Sequence, residues 1–294
     1  MVDQISRNVH SIDLGVGKQL AVLSDLHWDN PKCDWKLLKS HFDYCLKEEI
    51  PVFVNGDFFC LMQGKGDRRG NKSDIRPEHN NAKYLDSIVE TAVDWFSPYA
   101  SILTVIGYGN HETAIIKHQE TDILQRFVDL MNHVNGTNIK TGGYGGWINL
   151  ICKYIEASNT KFSSKMKYFH GSGGGGIVTK GAINLTRALE TYEGMEVFAL
   201  GHIHENASRN DVRDCLEYNP GTHKYEQKLK EILHMITGTY KEEYSDGSHG
   251  WHIERGAPPK PVGGRILEIQ VIRKQVEKKD TYIKQIDSRR FPLL

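Results

Sequence analysis

The stretch Leu20-Ala21-Val22-Leu23-Ser24-Asp25-Leu26-His27 sets the reading of the whole chain: an apolar run, then a carboxylate and an imidazole two residues apart. The run is short and does not alternate, which suits a strand buried on both faces. A regular strand would hold Asp25 and His27 on one face but extended, so their convergence requires a turn at the strand end. The same grammar recurs down the chain. Pro51-Val52-Phe53-Val54 precedes Gly56-Asp57, and Ile102-Leu103-Thr104-Val105-Ile106 precedes Gly109-Asn110-His111-Glu112. Lys167 to His170 reads as sheet and delivers His170-Gly171, and Val197-Phe198-Ala199-Leu200 precedes Gly201-His202-Ile203-His204. Ligands of such sheets collect at the carboxyl ends of the strands.

Together the five clusters supply four imidazoles, two carboxylates and an amide oxygen. Imidazole with carboxylate suits Mn, Zn, Fe or Ni, whereas an all-oxygen set suits Mg or Ca. Two divalent ions about 3.5–4 Å apart can clamp a phosphoryl group and stabilise both attacking and leaving oxygens. One carboxylate must then be shared, and Asp57 is the natural candidate. The expected cofactors are two divalent metal ions, manganese first, with Zn, Fe, Ni or Co as alternatives.

The five elements, in the order D-x-H, G-D, G-N-H-[D/E], H and G-H-x-H, resemble the calcineurin-like metallophosphoesterase superfamily over roughly residues 19 to 240. The resemblance implies an α/β fold, a two-layer mixed β-sandwich flanked by helices with the metals at one edge. It implies that Asp25, His27, Asp57 and His204 hold one metal, and Asp57, Asn110, His170 and His202 the other. His111 resembles the residue that protonates the leaving group or stabilises the transition state, alongside Asn110. The resemblance departs at Gly56-Asp57-Phe58-Phe59-Cys60-Leu61, where many relatives carry a second acid, G-D-x-x-D. That departure, with the complete G-H-x-H element, favours the phosphodiesterase and nuclease branches over the protein Ser/Thr phosphatases.

The expected function is a dinuclear metal-dependent phosphodiesterase that hydrolyses nucleotide or nucleic-acid phosphodiesters through a metal-bound hydroxide. A phosphomonoesterase acting on a small metabolite or phosphopeptide, and a catalytically silent scaffold, are the alternatives. Glu112 either holds His111 or begins a helix, where an acid favours the dipole. Arg68 and Arg69, in the polar stretch Gly64 to Arg76 after Asp57, are candidates for gripping a substrate phosphate, since guanidinium pairs bidentately with phosphate oxygens. A solvated loop is the equal alternative there. Asn219-Pro220-Gly221-Thr222 resembles a turn found in several branches of the superfamily.

With 37 basic and 37 acidic residues the chain carries no net formal charge, so no global field draws it to a polyanion. The five cysteines are dispersed, odd in number and lack C-x-x-C spacing, so neither a disulfide framework nor a thiolate zinc site is indicated. The N-terminus lacks the apolar core of a signal peptide, and no run approaches the roughly 20 apolar residues of a membrane span. A reducing cytoplasm is the expected compartment, and oligomeric state is open. Helices are expected near 34–49, 80–97, 118–132 and 179–192, with strands at 144–156 and mostly strands after 196. Gly238 to Gly264 reads as a long loop. One domain spans 1–294, with a loop-rich, basic C-terminal extension from about 240.

Overall fold

A computed structural model describes residues 2–15, 19–61, 70, 74–153, 161–174, 176–244, 247–248, 251–254, 256–276 and 279–292. Strands β1 (Val2–Ser6) and β2 (Val9–Gly15) form an N-terminal hairpin, and β3 (Gln19–Leu23) begins the second sheet. Helix α1 (Trp35–Lys47), β4 (Val52–Val54), α2 (Tyr84–Phe96) and β5 (Leu103–Ile106) continue as right-alternating strand and helix. Then come α3 (Asn110–Gln119), α4 (Ile123–Asn135) and β6 (Lys140–Thr141). Beyond them lie β7 (Gly145–Lys153), β8 (Lys161–Phe169), α5 (Ala182–Thr191), β9 (Val197–Leu200), β10 (Ala207–Asn219) and β11 (Lys224–Ile236). A short α6 (Trp251–Glu254), β12 (Arg265–Val276) and β13 (Lys279–Arg290) complete the chain.

The strands make two mixed sheets, ordered β1-β2-β7-β8-β9-β11-β10 and β13-β12-β3-β4-β5-β6. Strands β3 to β6 are parallel, while β12 joins β3 antiparallel. The fold is thus α/β, two mixed sheets with helices outside. Leu20, Val22, Phe53, Val105 and Leu267 of one sheet pack against Ile148, Leu150, Met166, Val197 and Met235 of the other. On the outer face of the six-stranded sheet, Ala21, Leu23, Val52 and Val54 meet α1, α2 and α4. On the outer face of the other, Phe198, Leu200, Ile232 and Ile236 meet Leu185 and Ala188 of α5. This explains the two kinds of pattern. The β3 and β4 runs are covered on both faces, whereas β7 alternates, with Ile148, Leu150 and Cys152 inside.

One expectation needs correction. The helix anticipated over 118–132 is two helices. Glu120 adopts a left-handed conformation (φ 53°) that ends α3, and the Asp122 carboxylate caps α4 by accepting from Gln125 N (2.9 Å). The expected loop over 238–264 is a loop where described, apart from the short α6, and its backbone is tied to the body. Tyr240 N donates to Asp25 O (3.0 Å), Asp34 N to Tyr240 O (2.8 Å) and Gly238 N to Gly263 O (3.0 Å). Beyond it, β12 sends Leu267 and Ile269 into the inter-sheet core.

Buried His41 on α1 stacks on Phe291 (centroids 3.9 Å apart) and pairs through Nδ1 with the Tyr240 hydroxyl (2.8 Å). Burial pushes its pKa down from 6.5 to about 4. Between these values the unfolded chain binds the extra proton, so this histidine contributes stability that is present above pH 6.5 and is lost as pH falls towards 4. Denaturant titrations across this window should show a shallower pH dependence for His41→Phe than for the parent. Parallel pH profiles would remove His41 from the acid response.

Candidate metal centre

The clusters meet where strands of both sheets end. Past β3 and β4 the two chains stay hydrogen-bonded into their loops. Asp25 N donates to Gly56 O (3.0 Å), His27 N to Asp57 O (3.1 Å) and Trp28 N to Phe58 O (3.0 Å). Five side chains of the clusters leave this edge from left-handed backbone: Asp25 (φ 52°), His27 (46°), Asp57 (48°), His202 (66°) and His204 (57°). Each such non-glycine residue costs about 1–3 kcal/mol and persists only where its surroundings over-determine it. The turns bend an i, i+2 pair such as Asp25 and His27 from parallel to convergent.

Two groups of side chains result, each with its potential ligand atoms within 4.8 Å of one another: Asp25, His27 and His204, and Asp57, His170 and His202. All six are buried or nearly so. His204 Nε2 lies 3.2 Å from Asp25 Oδ1, and His170 Nε2 lies 3.2 Å from Asp57 Oδ2 and 3.3 Å from Asn110 Oδ1. The His170 tautomer is set from behind, because its Nδ1 donates to the Asn55 carbonyl (2.7 Å) and leaves Nε2 to face the site. Asp25 is held by His202 N (2.9 Å) and by the Ser24 hydroxyl, both donating to Oδ2.

Electrostatics follow from crowding. Burial resists ionisation of Asp57, but the His170 and His111 imidazoles beside it hold its pKa well below the usual carboxylate range. Asp25 is likewise held down to about 2, burial being outweighed by His204. Burial lowers the His27 and His202 values, with further lowering from His111 and His170 respectively, so both are neutral imidazoles with lone pairs to give. His27 Nδ1 and Asp25 Oδ1 are buried with no aligned hydrogen-bond partner, His204 Nε2 being near Asp25 Oδ1 without donor geometry. Buried polar atoms are normally satisfied. Orphaned lone pairs beside neutral imidazoles and anionic carboxylates are the donor set a divalent cation takes, so Asp25, His27 and His204 fit one such ion; Asp57, His170 and His202, with Asn110, offer nitrogen and oxygen donors of the same kind for a second.

Near the junction of the groups is His111, 4.8 Å ring to ring from His27 and with Nε2 3.9 Å from Asp57 Oδ2. Its Nδ1 hydrogen-bonds the Cys60 carbonyl, which orients the ring. Asp29 supports that carbonyl's peptide by accepting from Cys60 N and from Leu61 N (2.9 Å). Glu112 begins α3 but does not hold His111 through a hydrogen bond. Instead its fully buried carboxylate accepts from Gly109 N (2.8 Å), Phe59 N (2.9 Å) and Asp57 N (3.2 Å). Burial and the Asp57 charge push it up to about 8. Cys60 Sγ forms a third potential group with His27 and His111, but burial and Asp29 raise its pKa well above 9, which disfavours the thiolate.

Arg68 and Arg69 lie outside the described residues. Arg76, at the end of their stretch, is packed between the indoles of Trp28 (4.8 Å to the ring centroid) and Trp35 (4.4 Å) and ion-paired with Glu78. Two lysines that no motif marks are closer to the centre. Lys241 pairs with Glu243 (2.5 Å) and its charge is felt by His27 and Cys60. Lys260 donates to the carbonyl of Ile203, between the two histidines of that loop (2.6 Å). Asn219-Pro220-Gly221-Thr222 is not at the site: it tips the β10–β11 hairpin at the opposite end of the sheet, since β11 reaches the edge of the candidate centre at Ile236. Among the other histidines, His79 bonds Thr91 (2.8 Å) and His234 lies 3.3 Å from Asp211. The chain matches no known family when compared with protein-family models, and no curated protein matches it significantly.

Gly109 shows how tightly the centre is built: a Cβ there would sit 2.0 Å from Asp57 Oδ1 and 2.3 Å from Asp57 N. At Gly174, by contrast, a Cβ meets nothing within 4 Å. Gly109→Ala should lower stability by about 1–3 kcal/mol or more through overpacking and abolish any rise in melting temperature on adding Mn. Gly174→Ala should do neither. A Gly109→Ala protein that melts and responds to Mn like the parent would mean that the Asp57 turn relaxes freely.

Proposed function

We propose that the chain is a dinuclear metal-dependent phosphoesterase of the calcineurin-like type, acting on phosphodiesters, with nucleotides or nucleic acids as the first substrate class. The observation that carries this reading is the pair of three-residue donor groups at one sheet edge, built from four strand-end loops, with Asp57 between His170 and His111. Asp25, His27 and His204 would hold one ion and His170, His202 and Asn110 the other, with Asp57 shared. Mn is the first candidate for both, and Zn, Fe, Ni or Co share the donor preference. When bound, the ions supply charge neutralisation and a water of lowered pKa.

The chain's own residues do the rest. Asp57 and Asp25 are ionised without cost of deprotonation, and neutral His27 and His202 offer lone pairs at neutral pH. The Asn110 amide, 3.3 Å from His170 Nε2, would orient a phosphoryl oxygen. His111, with Nδ1 held on the Cys60 carbonyl, presents Nε2 as the atom that gives a proton to the leaving oxygen. Lys241 and Lys260 stand beside the site, each ion-paired with a glutamate, Glu243 (2.5 Å) and Glu205 (3.6 Å) respectively.

The test is turnover of bis-p-nitrophenyl phosphate against p-nitrophenyl phosphate with Mn, Ni, Zn and Mg, with metal content measured on the same protein. We expect diesterase turnover with two ions per chain, and loss of both in Asp57→Asn. Active protein with one ion or none would sink the dinuclear reading. His111→Ala should keep both ions and lose about 10²–10⁴-fold in rate, less for substrates with acidic leaving groups. An equal loss across leaving groups would remove His111 from proton transfer.

A further inference from the structure

The β10–β11 hairpin reaches well past the strand it rests on. Only Leu233 to Ile236 of β11 pair with β9, whereas β10 and β11 pair with each other from Ala207–Ile236 to Asn219–Lys224. Leu233 and Met235 enter the inter-sheet core, so alternate residues Leu229 and Tyr225 lie on the same face, as do their cross-strand neighbours Val212, Leu216 and Tyr218. Inside the sandwich this face is covered by the other sheet. On the arm it is open: Leu229 is 72% exposed, Leu216 71%, Tyr225 70%, Val212 62% and Tyr218 50%. In addition, β10 is an edge strand, and among the described residues no strand pairs with its outer side. A long edge with no strand on its outer side is what another strand adds to.

The charges say which strand. From Ala207 to Ile236 the arm carries Arg209, Arg213, Lys224, Lys228 and Lys230 against Asp211, Asp214, Glu217, Glu226 and Glu231. It is balanced, so it neither attracts a polyanion nor repels a copy of itself. Antiparallel pairing of two β10 strands about a two-fold axis sets each residue against its mirror position. Axes at Asp211, Arg213 or Asp214 put identical charges face to face. Axes at Asn210 and Cys215 also keep like charges apart, but they pair only 207–213 and 211–219 of β10. An axis at Val212 pairs the longer span 207–217: it puts Asp211 opposite Arg213 twice, Asn210 opposite Asp214, Arg209 opposite Cys215, Ser208 opposite Leu216, and no like charges together. Opposite charges directly across a strand pair stabilise it and like charges oppose it.

From this we infer that the arm is a homodimerisation element: a second copy of the chain pairs with β10 antiparallel, in the register centred on Val212. The two sheets become one continuous sheet through isologous contact. The arm leaves the body at the end opposite the metal edge, so both centres stay open, and the inference stands apart from the proposed activity.

Sedimentation equilibrium over a dilution series tests it. The parent should have twice the chain mass. Val212→Asp, which sets two carboxylates on the axis at a site exposed in the single chain, should weaken the dimer by at least about 100-fold with unchanged circular dichroism and melting. Val212→Thr should stay dimeric. Asp211→Arg and Arg213→Asp alone should each give single chains, and the double swap should restore the dimer. The swap controls for lost contacts within the chain, where Asp211 meets Arg209 (2.8 Å) and Arg213 meets the Leu189 carbonyl. A parent of single-chain mass throughout, a dimeric Val212→Asp, or a swap that fails to restore would overturn the inference.

Discussion

The backbone hydrogen bonds that carry β3–β4 pairing beyond the strands are the constraint on which the centre depends. Three N–H groups, of Asp25, His27 and Trp28, find carbonyls in the Gly56–Phe58 loop. Across those bonds Asp25, His27 and Asp57 turn into left-handed backbone. Satisfying buried main-chain groups is close to obligatory, so the side chains are aimed by backbone accounting rather than by their own attraction. Carboxylates and imidazoles can therefore be held facing one another before any cation compensates them.

A second set of contacts locks the neighbouring loop in the same way. Glu112 gathers the N–H groups of Gly109, Asp57 and Phe59, and so joins the start of α3 to the turn after β4. Asp29 does the same for Cys60 and Leu61 from the loop after β3. The Cys60 carbonyl, fixed between them, orients His111. Thus two buried carboxylates, neither of them in a ligand group, set the geometry of the groups that are.

The carboxyl-terminal third encloses the centre from the other side. Thr239 and Tyr240 cap the Asp25 carbonyl, and Ser24 is shared between Asp25 and Thr237. Buried Arg265 on β12 reaches Asn206 Oδ1 and Ser208 Oγ (both 2.9 Å) beside β10, tying the two sheets together near the G-H-x-H loop. Loss of any one of these would loosen a wall rather than a ligand.

Much of this was legible in the chain. Apolar runs followed by Asp, Asn or His marked β3, β4, β5 and β9 and the ends at which their side chains would gather, because buried parallel strands and strand-end turns both leave local signatures. The paired α3 and α4 were only half legible, since the break rests on one left-handed Glu120 and a cap at Asp122. Asp29 carries a faint signal, lying four residues after Asp25. The role of Cys60 carries none, because it acts through a carbonyl that every residue has. Lys241, Lys260 and Arg265 act across long sequence separations. Sequence by itself determined which atoms could donate to a metal and in what order the strands would deliver them. Only the tertiary structure decided which backbone groups aim those atoms, because hydrogen bonds between loops far apart in the chain are chosen by the packing of the two sheets.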